Sequence, residues 1–256
     1  MAYSSDLTDN QGNLREPLVV VPSKRGPKHG SDLRHVVDAM LSISHTGCQW
    51  RFPPEQFGPW TRVWSQFRRW SRNGAWARVP ATLHASARTV LGRTAPLPSM
   101  MVIDTHLARG APNDGSTFHN QGGRYGRTNG PKRIVGVDVT SLPLRVRVVP
   151  ASTSEAKAVE VMLEDLARTG ADHRLEMMLV DRGTADSAVR RLSSTLEYEV
   201  RRIGWDEPQL DTNGAKVFRP VRHAWRVEAA HGRLVRRRPF GGNVVGQLLD
   251  FSYGTR

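Results

Sequence analysis

Two short apolar runs, Met100–Ile103 and Met177–Val180, each end on an aspartate, Asp104 and Asp181. Unbroken apolar runs of this length, closed by turn-forming residues such as Gly183, read as strands buried on both faces of a sheet. A chain built on such strands needs helices above and below them. An aspartate at the carboxyl end of a buried strand sits where open α/β sheets place their ligands. A single one is more often a turn residue or a helix cap. Two of them, 77 residues apart (181 minus 104), form a pattern.

The stretch Arg222–Arg238 supplies a third carboxylate. It reads as a helix with one acidic residue, Glu228, inside a basic run. Ala224, Trp225, Glu228, Gly232 and Val235 share one helical face. That face is predicted to pack inward and to carry Glu228 toward the core, where a carboxylate needs a partner. The competing reading pairs Glu228 with Arg222, Arg226 or Arg233 on a solvated helix. Asp104, Asp181 and Glu228 together make a set of three hard oxygen ligands, suited to Mg²⁺ or Mn²⁺. Two such ions can activate a water or a 3′-hydroxyl and stabilise the leaving oxygen of an in-line phosphoryl transfer. Asp138 is a rival ligand, weaker because it lies within a strand.

The elements around these carboxylates follow in a definite order. Residues 108–133 are rich in Gly, Asn, Arg and Lys and are predicted to be a long irregular loop. Arg124, Arg127, Lys132 and Arg133 there suit contacts to a nucleic-acid backbone. His106 and His119 are given no catalytic role. A hairpin turning at Ser141–Pro143 follows. Next comes a helix with Val159, Met162, Leu163 and Leu166 on one face, opened by Ser152 and Glu155 at capping-box spacing. After the Asp181 strand come a helix through Ala188, Val189 and Leu192, a strand at Tyr198–Ile203, and the Glu228 helix. Strand, hairpin, helix, strand, helix, strand, helix implies an α/β mixed sheet flanked by helices.

The amino-terminal third has a different texture. Asp6 or Thr8 is positioned to cap a short helix through Leu14. Lys24, Arg25 and Lys28 follow, either gripping phosphates or decorating a flexible loop. Leu33, Val36, Val37, Met40 and Leu41 predict a helix from Asp32 that Gly47 ends. After the turn-rich RFPPEQFGP, a second helix runs from Pro59 to Arg72. Its stripe is Trp60, Val63, Trp64, Phe67 and Trp70, read as core. Arg62, Arg68, Arg69 and Arg72 lie on or beside its other faces. Two helices joined by a turn, the second rich in arginine, read as a helix-turn-helix module. A small bundle with solvated arginines is the plainer alternative. A third helix, Ala75–Leu91, leads into a linker, RTAPLPS.

Net charge decides the class of partner. The chain carries +13 over 256 residues, with a pI of about 11.0. Such a balance favours a polyanion, nucleic acid before an anionic membrane. No run of eighteen apolar residues exists, and MAYSSDLTDN lacks the features of a secretory signal. The lone cysteine, Cys48, has no internal partner and reads as a small core residue. The cytoplasm, in association with the nucleoid, is the expected location.

At this point the chain resembles a family: insertion-sequence transposases of the DDE type, in the IS4/IS5-like group. The resemblance rests on SDLTD near the start, TGCQWR at 46–51, GPWTRVWSQFRRW at 58–70, VIDTHLARGA at 102–111, TFHNQGG at 117–123, LVDRG at 179–183 and WRVEAAHGRL at 225–234. These stretches run in the family's order to about residue 238. The resemblance implies a ribonuclease-H-like catalytic domain with Asp104, Asp181 and Glu228 as its triad and two Mg²⁺ or Mn²⁺ ions as cofactors. It implies double-stranded DNA as partner, both the terminal inverted repeats and the target, bound by a homo-oligomer. The DNA contacts would come from Arg62, Arg68, Arg69, Arg72, Arg124, Arg127, Lys132, Arg226 and Arg233. The expected organisation is a helical DNA-binding domain at 1–91, a linker at 92–99, the catalytic domain at 100–238 and a divergent tail at 239–256. Past Leu234 the sequence departs from the family, which admits a second reading: a remnant that binds DNA or represses without chemistry.

Overall fold

The computed structural model describes residues 5–9, 33–73, 75–107, 119–120, 128–129, 131–204, 212–214 and 225–236. The chain divides into two compact units, Met1–Leu83 with Val235–Arg256, and His84–Leu234.

The first unit is helical. Helix α1, Leu33–Thr46, buries Leu33, Val36, Ala39, Met40 and Ile43. It ends where Gly47, at φ 81°, donates its N–H to the Ile43 carbonyl. A positive φ costs glycine nothing, which is why the helix stops there. The turn-rich break contains one 3₁₀ turn, Glu55–Phe57, and Gly58 at φ 78°. Helix α2, Trp60–Arg72, then packs Val63, Phe67 and Trp70 against α1. The rings of Trp50, Trp64 and Phe67 lie 4.8–5.6 Å apart and close one side of this core. Cys48 packs half-buried beside them. The buried Asp38 carboxylate accepts the Leu7 N–H at 2.9 Å, tying residues 5–9 to α1. The short helix expected through Leu14 lies outside the described residues beyond Asp9. Helix α3 runs from Ala75 to Val90, with Pro80 inside it.

The second unit is a five-stranded mixed sheet with helices. Its strands are β1 (Met100–Leu107), β4 (Pro131–Asp138), β5 (Pro143–Pro150), β6 (Met177–Val180) and β7 (Glu199–Arg202), in the order β5-β4-β1-β6-β7. The first three pair antiparallel, as a hairpin should. β6 and β7 run parallel to β1, reached through helices α4 (Glu155–Thr169) and α5 (Asp186–Thr195). Helix α6, Trp225–Arg236, comes last. This is the α/β mixed sheet flanked by helices that the element order implied.

One face of the sheet, with Met101, Ile103, Ile134, Met178 and Val180, packs on Ala158, Val159, Met162, Leu163 and Leu166 of α4. Gly136 makes room for this packing: a Cβ there would stand 2.9 Å from the Met101 sulfur. Val102, Val135 and Val137, opposite in phase, are equally buried. The sheet is therefore covered on both faces, as unbroken apolar strands require.

Three expectations need correction. The strand of Asp104 does not stop at Ile103 but continues to Leu107, because β4 goes on supplying hydrogen bonds along its other edge. Within the predicted loop, β2 (His119–Asn120) pairs with β3 (Thr128–Asn129), and residues 131–133 already belong to β4. The cap of α4 is Ser154, whose hydroxyl accepts the Lys157 N–H at 3.3 Å, not Ser152. The capping-box glutamate, Glu155, is thereby free for another task. Among the described residues, no helix is long and apolar enough to cross a membrane.

Candidate active site beside two parallel strands

The parallel pairing of β1 and β6 aligns Met100 with Met177, Met101 with Met178 and Val102 with Leu179. This offset of 77 is also the separation of Asp104 and Asp181. Asp104 and Asp181 share this offset two residues past the paired segment, and the charge of Asp181 acts on Asp104. The parallel ladder ends at Val102 and Leu179, and the two carboxylates lie just past it.

Local structure fixes each of them. The Asp181 carboxylate accepts the Gly183 N–H at 3.0 Å, and its carbonyl accepts the Thr184 N–H. A Cβ on Gly183 would stand 3.0 Å from Asp181 Oδ2, so the glycine leaves that oxygen its place. Asp104 is 27% exposed and accepts the N–H of Thr105 at 2.8 Å. Burial raises its pKa to about 6. The Thr105 N–H opposes this, while the charges of Asp181, Glu155 and Glu228 add to it. All three carboxylates thus act on Asp104.

Glu228 rides on α6, but the face predicted to point inward points outward. Trp225, Glu228 and Gly232 are exposed, and the buried side is Val227, Ala230 and His231. Val227 and Ala230 offer apolar surface without charge, so they take the buried side. Glu228 is left exposed.

Glu155 escaped the sequence reading. Its Oε2 accepts the Thr105 hydroxyl at 2.7 Å, and its Oε1 pairs with Lys132 Nζ at 3.0 Å. Lys132 also donates to the Thr153 carbonyl. This corrects the place of Lys132: it is buried and engaged, not presented for DNA. The rival ligand Asp138 is also resolved. It lies opposite Met101, three residue pairs along the β1–β4 ladder from Asp104 and Val135. It is fully buried, bonded by Arg88 and Thr140, with His84 Nε2 at 3.4 Å. Burial alone would raise its pKa, but His84, Thr140 and Arg88 outweigh that and hold it far below the carboxylate range. This is a structural ion pair.

The remaining basic candidates separate clearly. Arg62, Arg68, Arg69 and Arg72 are all exposed on α2, away from Val63, Phe67 and Trp70. Arg226 lies half-buried, its guanidinium 4.6 Å from the Trp225 ring centroid. Arg133 is buried, with Nη2 3.4 Å from His106 Nδ1. Arg124 and Arg127 lie outside the described residues, as does the side chain of Arg233.

Hard oxygen donors of this kind fit a divalent cation in their chemistry, and the mutual repulsion that raises Asp104 is what such a cation would relieve. Among the described residues, no three His, Cys, Asp or Glu side chains already stand close enough to hold an ion. The carboxylates feel one another's charge and would need to draw in around a metal.

Comparison with known proteins gives a family and several structures. Among curated proteins no sequence matches. The chain is similar in structure to a pre-cleavage Mos1 transpososome, at 15% identity over 92% of this chain and 75% of that one, with a TM-score of 0.33. A Mos1 paired-end complex with the left transposon end shows 16% identity over 74% and 64%, with a TM-score of 0.26. A Mos1 mariner paired-end complex with Mn shows 16% over 71% and 61%, also at 0.26. The chain spans less than two thirds of the length of those two paired-end proteins. Residues 7–80 match the family described as "Putative transposase of IS4/5 family", the same family that the sequence motifs resemble.

Proposed function

We propose that this protein is an insertion-sequence transposase. It binds the terminal inverted repeats of its element and cuts and rejoins DNA with Asp104, Asp181 and Glu228. The observation that supports this reading is the β1–β6 pairing, just past which two aspartates follow at the same offset, with the charges of Asp181 and Glu228 acting on Asp104. The match of residues 7–80 to the transposase family supports it from an independent part of the chain.

In this reading the three carboxylates hold Mg²⁺ or Mn²⁺, two ions in all, which when bound supply Lewis-acid stabilisation of the attacking and leaving oxygens. The chain's own work is to fix the carboxylates. Main-chain N–H groups of Thr105 and Gly183 orient the two aspartates, and the buried side of α6 sets the position of Glu228. The exposed arginines of α2 would hold the DNA ends through phosphates and base edges. The DNA-binding role falls to residues 1–91, with a homo-oligomer assembled on paired ends.

The test incubates purified protein with labelled DNA carrying the element's ends and Mg²⁺ or Mn²⁺. Nicks at the ends followed by joined products are expected. Binding of the ends without any cutting would overturn the catalytic part and leave a DNA-binding protein. Cutting without joining would make it a nuclease.

A further inference from the structure

We infer that His231 is a positioning residue for this chemistry: it latches the glutamate-bearing helix to the first aspartate. This rests on the proposed function, which it deepens. His231 lies three residues after Glu228, about one helical turn on, and faces the buried side of α6 next to it. Its side chain is 7% exposed, and Nε2 stands 3.6 Å from Asp104 Oδ2. Neither ring nitrogen makes a well-formed hydrogen bond, and its polar neighbours are the carboxylate and the main chain of Asp104.

A buried imidazole without a well-formed hydrogen bond is costly, and an apolar residue would serve the packing of Val227 and Ala230 better. The surroundings explain its presence. The ring packs 5.3 Å, centroid to centroid, from His106, which lies two residues beyond Asp104 on β1. His106 in turn faces Arg133, its cross-strand neighbour on β4. A layer of Arg133, His106 and His231 therefore runs up to Asp104. Within it, the Asp104 carboxylate is an acceptor only a few tenths of an ångström beyond hydrogen-bond reach.

Closing that gap lets Nε2–H donate to Oδ2. The bond would fix the rotation of the Asp104 carboxylate and leave its other lone pairs facing outward. Because Glu228 and His231 share a rigid helix, the same bond sets how far along β1 the glutamate stands. Groups that orient metal-ligating carboxylates in this way typically matter 10–100-fold in activity or affinity.

The test uses the full chain with His231→Gln, whose amide nitrogen reaches the Nε2 position, His231→Asn, which reaches only the Nδ1 position, and His231→Phe, which keeps the shape. The expected result is DNA-end binding at the wild-type level by all three. Cleavage would fall roughly 10–100-fold in the Phe and Asn proteins and be largely retained by Gln. The Phe protein should melt no lower than wild type. Phe cleaving at the wild-type rate would overturn the inference, as would Gln and Phe being equally slow. Should Phe not fold, the contrast of Gln with Asn carries the same decision. A second readout needs no activity: His231→Phe and Asp104→Ala, each of which removes the contact, should shift the melting temperature non-additively when combined. Strict additivity would overturn the contact. A wild type that cuts no DNA while this coupling is present would contradict the proposed function alone.

Discussion

Asp104 and Asp138 lie on the same antiparallel pair of strands, three residue pairs apart, and have opposite surroundings. Asp138 is sealed in with Arg88 and His84, and its pKa is driven down. Asp104 is half-buried, which raises its pKa to about 6, and the charges of Asp181, Glu155 and Glu228 add to the rise with no cation among the described residues to offset it. A buried carboxylate beside cations is a structural solution. A carboxylate gathered with other carboxylates stores repulsion, which is stabilising only once a cation arrives. The difference separates a residue kept for folding from one kept for chemistry.

The largest effect expected from this contrast is on Asp138. Asp138→Ala leaves Arg88 buried without its partner and should cost about 3–5 kcal/mol in denaturant unfolding. Loss of less than about 1 kcal/mol would break the comparison from that side. Asp104→Asn should act in the other direction. Without metal at neutral pH it removes a repelled, desolvated charge and should stabilise the protein by on the order of 2 kcal/mol. A destabilised Asp104→Asn protein would mean that the carboxylates do not repel as described.

The pH dependence sharpens the same contrast. A carboxyl whose folded pKa is raised binds its proton more tightly in the folded state. Its contribution is therefore most favourable below the ordinary value near 4 and declines as pH rises toward about 6. The stability gap between Asp104→Asn and wild type, measured without metal, should widen over that interval and then stay flat. Asp138 runs the other way. Its folded pKa is lowered, so its contribution is complete above the ordinary value and is lost as pH falls below it. Added Mn²⁺ should abolish the first dependence and leave the second.

The smallest effects belong to α2. Replacing Arg62, Arg68, Arg69 or Arg72 singly by Ala should leave stability unchanged, since all four are exposed. Each one that contacts a phosphate should lower the salt slope of end binding by about 1. An unchanged slope in all four would assign end binding to another surface.

The sheet and its two aspartates were legible because short unbroken apolar runs say both where the strands are and that helices cover them. The 77-residue spacing even anticipates the register, though only the pairing of Met100 with Met177 gives it meaning. Glu155 was hidden because Ser152 and Glu155 satisfy a local capping pattern. Its partners, Thr105 and Lys132, come from other strands, and no local signal marks them. The face of α6 is ambiguous in the sequence, because Val227, Ala230, His231 and Leu234 form as regular a stripe as the one that holds Trp225. Trp225 is 49% exposed and stacks with Arg226 instead. Asp138 needed the antiparallel register and Arg88 of α3, both long-range facts.

The most direct test of the central claim compares wild type, Asp104→Asn, Asp181→Asn and Asp138→Asn on labelled DNA ends in Mn²⁺, at a temperature where all four are folded. The account predicts that the first two variants still bind the ends but cut at least about 10³-fold more slowly, while Asp138→Asn cuts at a rate set only by its folded fraction. Equal cutting by Asp104→Asn and wild type, or loss of cutting in a fully folded Asp138→Asn protein, would contradict it.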